Sequence, residues 1–384
     1  MRRRHTKPVH YGPVSVSKEL VGKMEKEMKQ LPLRPASGRP LVIAGPCSAE
    51  TEEQTLATCE ALAREGCVDV LRAGIWKPRT QPGSFEGVGT QGLAWLAEAK
   101  RRTGLPVATE VGSARHAEQA LAAGIDLLWI GARTTVNPFL VQEIADAAAG
   151  SGAVILIKNP MHPDVALWAG AVARFEKAGI PRERIGLIHR GFSTGTHGRY
   201  RNDPMWHLAL DMRSRFPEMT MLCDPSHICG TRKYLLEVSQ TAANLNYDGL
   251  VVESHCNPAA AWSDADQQLT PQALAELLRA VNWRAVRSED PAYVQTLTRC
   301  RAEIDQIDSE IFDLLSRRMQ IADRIGEVKR DNGVVILQSG RWSSIVEKIV
   351  ARASELNLSE DFLRTVLEAI HLESIDHQNR IMQP

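Results

Sequence analysis

Eight short apolar runs, each followed by a longer amphipathic stretch, restrict the folds open to this chain more than any other feature of its sequence. The runs are Leu41–Ala44, Val68–Leu71, Val107–Thr109, Leu127–Ile130, Val154–Ile157, Ile185–Ile188, Met219–Cys223 and Leu250–Val252. Helical periodicity follows them, for example over Gln91–Arg102, Ala114–Ala123, Asn137–Ala149 and Pro271–Val281. A strand that is apolar on both faces has to be covered on both, as a parallel strand between helices is. Eight such units in roughly 245 residues predict an α/β chain with a closed (β/α)8 barrel. An open doubly wound sheet is the alternative.

The regular pattern spans residues 39–285. Before it, residues 1–38 read as a polar N-terminal extension with one helix over Lys18–Gln30. After it, residues 286–384 read as an all-α domain, entered through the polar linker at 286–292 with Pro291 at a helix start. Leu297, Ile304, Ile311 and Ile325 recur on a seven-residue spacing, and Cys300, Ile307, Leu314, Ile321 and Val328 form a companion row. That is a coiled-coil-like seam, and it predicts dimerisation. Asn332-Gly333 ends the long helix, and two further helical segments follow at Trp342–Glu355 and Ser359–Ile381.

Composition excludes several function classes. Lys plus Arg and Asp plus Glu each number 46, so nothing pulls the chain as a whole toward nucleic acid or a membrane surface. No apolar run reaches the ~18 residues of a membrane span. The basic start, Met1-Arg2-Arg3-Arg4-His5, is followed by no apolar segment, so a secretory leader is not expected. Seven scattered cysteines, an odd number, point to the reducing cytoplasm rather than a disulfide framework.

Barrel enzymes carry their chemistry where strands end. After the eight runs come, in order, Gly45-Pro46-Cys47; Arg72, Lys77 and Arg79; Glu110; Arg133; Lys158; His189-Arg190; Asp224-Pro225-Ser226-His227; and Glu253 with His255 and Asp264. Arg72, Lys77, Arg79, Arg133, Lys158 and Arg190 would repel one another on one rim unless their ligands are anions, such as two phosphates and a carboxylate. Surface salt bridges are the plainer reading of any one of them. Cys47, His227, Glu253 and Asp264 form a mixed thiolate, imidazole and carboxylate set suited to a borderline divalent ion, either manganese, iron, cobalt or zinc. No local ligand motif supports that set, and a buried inert Cys47 with a satisfied His227 stays open.

Gly45-Pro46-Cys47-Ser48, Lys77-Pro78-Arg79-Thr80, Ile130-Gly131-Ala132-Arg133-Thr134, Asp224-Pro225-Ser226-His227, Glu253-Ser254-His255 and Ser263-Asp264 together resemble the type I 3-deoxy-D-arabino-heptulosonate 7-phosphate (DAHP) synthases, in particular their compact β-type branch. The likeness covers residues 38–284. It implies condensation of phosphoenolpyruvate with D-erythrose 4-phosphate, releasing phosphate. Metal ligation then falls on Cys47, His227, Glu253 and Asp264. The phosphoenolpyruvate contacts fall on Arg72, Lys77, Arg133, Lys158 and Arg190. The erythrose 4-phosphate site falls on Lys77-Pro78-Arg79-Thr80, a stretch that the related 3-deoxy-octulosonate 8-phosphate synthases normally lack. Lys77, between the two substrate sites, is a candidate proton relay. Two departures stand out: Lys158 is followed by Asn159-Pro160, and His189 precedes Arg190 where the family often has Glu.

In the helical domain Arg318 occupies an apolar slot of the seam, and a buried guanidinium calls for an anionic ligand. Lys329, about three helical turns on, shares its face, whereas Arg301 points about 100° away and cannot easily join that pocket from its own helix. A dimer in which it reaches a partner's pocket would resolve this, and an antiparallel helical hairpin with solvated Arg301 and Lys329 is the alternative. Residues 292–382 resemble the all-helical class of chorismate mutases, interlaced dimers that convert chorismate to prephenate without a cofactor. The resemblance implies substrate contacts at Arg301 from the partner, Arg318, Lys329, Gln338, Arg341, Ser374 and Gln378, with Arg318, Lys329 and Gln378 carrying catalysis. Gln338 and Trp342 stand where the family usually has acids. A bifunctional homodimer, or a higher assembly through the helical domain, is therefore expected, with prephenate as feedback inhibitor of the barrel. The alternative is a helical domain that only senses chorismate or prephenate and dimerises.

Overall fold

The computed structural model describes residues 33, 39–77, 83, 85–195, 198–337 and 339–383. The chain divides between Arg284 and Ala285 into two compact units.

In the first unit the strands are β1 (Leu41–Gly45), β2 (Val70–Arg72), β3 (Val107–Val111), β4 (Leu127–Ile130), β5 (Val154–Lys158), β6 (Ile185–His189), β7 (Thr220–Cys223) and β8 (Gly249–Glu253). They alternate with α1 (Glu52–Glu65), α2 (Gln91–Thr103), α3 (Ala114–Ala122), α4 (Pro138–Ala148), α5 (Val165–Lys177), α6 (Trp206–Arg215), α7 (Leu235–Asn244) and α8 (Pro271–Ala280). Each strand pairs in parallel with the next. β1 also pairs with β8 along its whole length, Leu41 with Gly249 through Gly45 with Glu253, so the barrel closes and the open-sheet alternative falls.

The helices start where the sequence supplies caps. The Thr51, Ser113, Asn137, Asp164 and Thr270 side chains each accept from a first-turn N–H, and prolines open α4 and α8. The core has two layers. One lies between strands and helices and includes Leu62, Leu96, Ile144, Trp168 and Phe175. The other fills the barrel itself with Ile43, Val70, Trp129, Leu156, Ile188, Leu222 and Val251. Leu33, which the sequence reading placed in the N-terminal extension, belongs to this inner layer beside Gly186 and Thr220, at the strands' N-terminal ends. That end of the barrel is plugged with apolar side chains, and polar groups gather at the other.

The second unit consists of α9 (Pro291–Asp331), α10 (Ser339–Val350), the single turn Ala353–Leu356 and α11 (Glu360–Met382). Contacts advance in the same sense along α9 and α11, from Arg318 with Ser374, through Asp323 with His377, to Arg330 with Ile381. The two helices therefore run parallel. At Gly326 they come so close that a Cβ would meet the Gln378 Cα at 3.2 Å and the Ile381 Cβ at 3.3 Å. The face of α9 buried within the chain carries Met319, Ala322 and Gly326. The heptad rows lie elsewhere: Ile304, Ile307, Ile311, Leu314, Ile321, Ile325 and Val328 are all exposed.

Candidate functional site

At the C-terminal ends of the strands lies a cavity of about 300 Å³. Among its lining residues are Arg72, Lys77, Arg133, Lys158 and Arg190, together with His227, Glu253 and Asp264. Five of the six expected cations therefore share one mouth. Arg79, with Pro78 and Thr80, lies outside the described residues.

Arg72 ends β2, and its buried guanidinium donates to Glu253 Oε1 at 3.3 Å and to the Cys47 carbonyl at 3.1 Å. Its flat face lies 4.6 Å from the centre of the Trp129 ring. That ring is itself held by donation from its Nε1 to Glu110 at 3.1 Å. Lys158, at the end of β5, donates to Asp224 Oδ2 at 2.9 Å, both groups being buried. Arg190 donates to Asn202 Oδ1 at 2.8 Å. Burial holds its pKa down at about 10, and although Asp224 opposes this, Arg133 and Arg201 push the same way. A guanidinium depressed by burial first and by cationic neighbours after it marks a place that an anion would stabilise.

The departures from the family pattern have structural work. Asn159 donates to the Gly191 carbonyl at 2.8 Å and accepts from the Arg190 N–H at 2.7 Å, tying the end of β5 to the end of β6. His189 is fully buried below the cavity. Its Nε2 donates to the Pro204 carbonyl at 2.7 Å and its Nδ1 accepts from the Tyr247 hydroxyl at 2.9 Å. Burial lowers its pKa to about 4, so the ring is neutral.

The possible metal donors lie next to these cations. His227 lies in the one-turn helix Pro225–Cys229, capped by Asp224. Its Nδ1 is 2.8 Å from Asp224 Oδ2, and its Nε2 faces Glu253 Oε1 at 3.8 Å. Burial lowers the His227 pKa more than Asp224 raises it. Asp224 is buried too, which raises its pKa, but His227 and Lys158 beside it hold the carboxyl well below the usual range. Glu253 Oε2 accepts from Gln267 at 2.6 Å. Asp264, in a left-handed turn at φ 47°, accepts from Arg201 at 2.9 Å and from the Cys47 thiol at 3.2 Å. Burial opposes its ionisation, but Lys77 and Arg201 outweigh burial and keep its pKa low. Burial and then Glu253 push the Cys47 thiol up to about 12, with the Lys77 ammonium working against them.

As placed, no three of these His, Cys, Asp and Glu side chains among the described residues stand close enough together to enclose an ion. The donor set nonetheless fits a divalent cation in kind. An imidazole nitrogen and two carboxylates line one cavity, a sulfur lies against one of those carboxylates, and a third carboxylate, Asp224, sits beside the His227 Nδ1. The Lys77 ammonium already rests against the Cys47 sulfur and donates to the Cys47 carbonyl at 3.1 Å, so positive charge is accommodated at this spot.

Sequence reading passed over Arg201, Asn202, Gln267 and Gln268. Arg201 donates to Asp264 and, at 2.7 Å, to Gln267, while Gln268 accepts from the Cys47 N–H at 2.9 Å. Arg201 and Asn202 stand a dozen residues past β6, so a search confined to strand ends does not reach them.

In the second unit, Arg318 donates to the Ser374 hydroxyl, Gln378 donates to the Ser374 carbonyl at 3.2 Å, and Lys329 donates to the Ile336 carbonyl. Ser374 and Gln378 are buried, and burial lowers the Arg318 pKa. Arg318 itself, expected to be buried, is exposed in the single chain, because the seam it belongs to has no cover there. Arg301 and Arg341 are exposed as well. Gln338 lies outside the described residues. Trp342 stacks on His371 with ring centres 4.1 Å apart.

A family model described as the DAHP synthetase I family matches residues 33–287, and one described as chorismate mutase type II matches residues 300–379. Phospho-2-dehydro-3-deoxyheptonate aldolase of Thermotoga maritima is 31% identical over 238 residues, 62% of this chain and 68% of that protein. The 2-dehydro-3-deoxyphosphooctonate aldolase of Desulfatibacillum aliphaticivorans is 32% identical over 261 residues, 62% of this chain and 89% of that one. The crystal structure of the Thermotoga maritima DAHP synthase superposes with a TM-score of 0.57 at 29% identity, covering 64% of this chain and 68% of that one.

Proposed function

The chain belongs to the DAHP synthetase I family and carries a chorismate mutase type II domain behind its barrel, and from that premise we infer how its own residues divide the work. It is a bifunctional enzyme. The barrel condenses phosphoenolpyruvate with D-erythrose 4-phosphate to DAHP and phosphate, and the helical domain rearranges chorismate to prephenate. A purely sensing helical domain is not favoured by the mutase match.

The observation that carries the assignment of roles is the single cavity lined by five cations together with His227, Glu253 and Asp264, with the Cys47 thiol against Asp264. Arg72, Arg133, Lys158 and Arg190 take the carboxylate and phosphate of phosphoenolpyruvate, and their fixed charges stabilise the intermediate in which water has added at C2. The aldose phosphate binds beyond Lys77, where Arg79 and Thr80 follow in the chain. Lys77 lies between the two substrates, and its Nζ is the group placed to deliver a proton to the aldehyde oxygen as C3 attacks. The family is metal-dependent. Cys47, His227, Glu253 and Asp264 are the residues we assign to the ion, with manganese the first choice and iron, cobalt or zinc the alternatives. Bound there, the ion supplies Lewis acidity at the aldehyde oxygen.

In the helical domain Arg318 and Arg341, with Arg301 of a second copy, hold the two carboxylates of chorismate. Lys329 and Gln378 donate to the ether oxygen as its C–O bond breaks, Ser374 orients Arg318, and Gln338 contacts the ring hydroxyl. A homodimer or larger assembly through the seam, prephenate inhibition of the barrel and a cytoplasmic setting complete the reading, the last supported by seven free thiols. No helix among the described residues is long and apolar enough to cross a membrane. Phosphate release by the purified, manganese-loaded chain tests the barrel: it should require both phosphoenolpyruvate and erythrose 4-phosphate and disappear in Arg190→Ala. Release that persists undiminished in that variant overturns the assignment. Unchanged synthase rates at saturating prephenate would remove the feedback.

A further inference from the structure

We propose that His116 is a positioning residue for the aldose-phosphate side of the synthase site, acting through the flat stack of its ring on Trp76 to hold Lys77. The inference rests on the barrel reading above.

Trp76 immediately precedes Lys77, and its ring lies parallel to the His116 ring, 4.0 Å away and 2° from coplanar. The main chain here is already pinned on one side. Lys77 N–H donates to the Glu86 carbonyl at 2.8 Å and Gly89 N–H to the Ile75 carbonyl at 2.8 Å. Gly87 is pressed so tightly onto Ile75 that a Cβ would stand 2.2 Å from its carbonyl oxygen. Against the indole, His116 supplies a stacked face from another strand–helix unit. It sits in the first turn of α3, where Ser113 accepts its N–H at 3.2 Å and its Nδ1 accepts from Gly112 N–H at 3.3 Å. One bond thus anchors its backbone and one orients its ring before it meets the indole. Burial, followed by the nearby Arg115, lowers its pKa, so the pair stacks as two neutral rings.

The stacked pair lines a side chamber of about 340 Å³. That chamber shares Lys77, Glu110 and Arg133 with the central cavity. Lys77 is thus the hinge between the two spaces, and the indole next to it is set by His116. Swinging the indole would carry the Lys77 backbone with it and turn Nζ away from Cys47. Arg72, Lys158 and Arg190, on β2, β5 and β6, would be left where they are. Loss of the stack should therefore weigh more on the aldose phosphate, whose expected site continues from Lys77, than on phosphoenolpyruvate, which keeps Arg72, Lys158 and Arg190 in place.

The test is steady-state kinetics on the full chain with manganese, comparing His116→Ala and His116→Phe, with mutase turnover and thermal melting as fold controls. Removing a ring stack should raise KM for erythrose 4-phosphate by about 2- to 10-fold. KM for phosphoenolpyruvate should rise less, mutase turnover should stay at its parent value, and His116→Phe, which keeps a flat ring and no nitrogens, should restore the lost binding. The idea is wrong if His116→Ala behaves as the parent does, if both KM values rise equally, or if His116→Phe is as defective as His116→Ala. Should His116→Ala fail to fold, Trp76→Leu against Trp76→Tyr reads the same contact from its other ring: Trp76→Leu should raise KM for the aldose phosphate more than for phosphoenolpyruvate and Trp76→Tyr should restore it, and any other pattern refutes the stack's role. A parent chain that releases no phosphate from the two substrates together refutes the barrel reading itself, an outcome separate from any of these.

Discussion

At the scale of single residues, the barrel site consists of charges that depend on one another. Asp224 is fully buried and has His227 and Lys158 as its neighbours. Lys158→Met keeps the stem and removes the charge, leaving a buried carboxylate beside the imidazole alone. Breaking such a pair costs on the order of 3 kcal/mol, and urea unfolding should show it as a lower midpoint alongside lost synthase activity. Arg201 makes the opposite case. About half of its side chain is exposed (51%), so Arg201→Ala should leave unfolding nearly unchanged. It should still lower synthase kcat/KM on the order of tenfold, because Asp264 and Gln267 lose the donor that fixes them. Equal kcat/KM in parent and variant would return Arg201 to the surface. The strand-end cations were legible because a parallel barrel directs its strand ends to one face. Arg201 was not, because a loop decides where its residues return.

At the scale of elements, β6 shows how one strand serves both stability and the site. Its last residue, His189, has a pKa of about 4 in the fold, while an unfolded imidazole titrates near 6.5. Above pH ~6.5 neither state carries the proton and the buried neutral ring costs nothing. As pH falls from ~6.5 toward 4 the unfolded chain takes up the proton and the fold does not, so stability is lost across that window, by about 3 kcal/mol at its lower end. Denaturation at a series of pH values should show the decline, and His189→Gln should flatten it. A parent profile that stays level from pH 7 to 4 contradicts the assignment. Sequence marked His189 only as a departure from a pattern; the Tyr247 and Pro204 contacts that explain it come from β8's approach and the loop after β6. On α9, Gly326 allows the close approach to Gln378 and Ile381. Gly326→Leu would force the helices apart and should abolish mutase turnover while synthase turnover survives.

At the scale of the whole molecule, the heptad rows of α9 identify the part of the chain that lacks a partner. Ile304, Ile311, Leu314 and Ile325 are apolar, regularly spaced and exposed, which a soluble helix rarely tolerates without cover. A second copy is the cover that the chorismate mutase assignment supports, and it brings Arg301 within reach of a neighbouring site. Mixed refolding gives a direct reading of that arrangement. Arg301→Ala and Arg318→Ala should each be inactive as mutases, and the mixture should recover about a quarter of parent turnover, since half of the dimers are mixed and each holds one intact site. No recovery on mixing would place both arginines in the same subunit's site.

The sequence by itself determined the barrel, the strand-end charges and the long seamed helix, because each is written in local periodicity: apolar runs that demand two covered faces, and a seven-residue repeat that demands a partner. What lies across the sequence was decided only in three dimensions. Closure of β1 on β8, Leu33 plugging the inner core, Arg201 turning back onto Asp264 and the Trp76–His116 stack all join residues that no local pattern links, since their contacts arise from how the units pack. The exposure of Arg318 follows from the same cause. A seam states which face needs covering, but the cover is a matter of assembly.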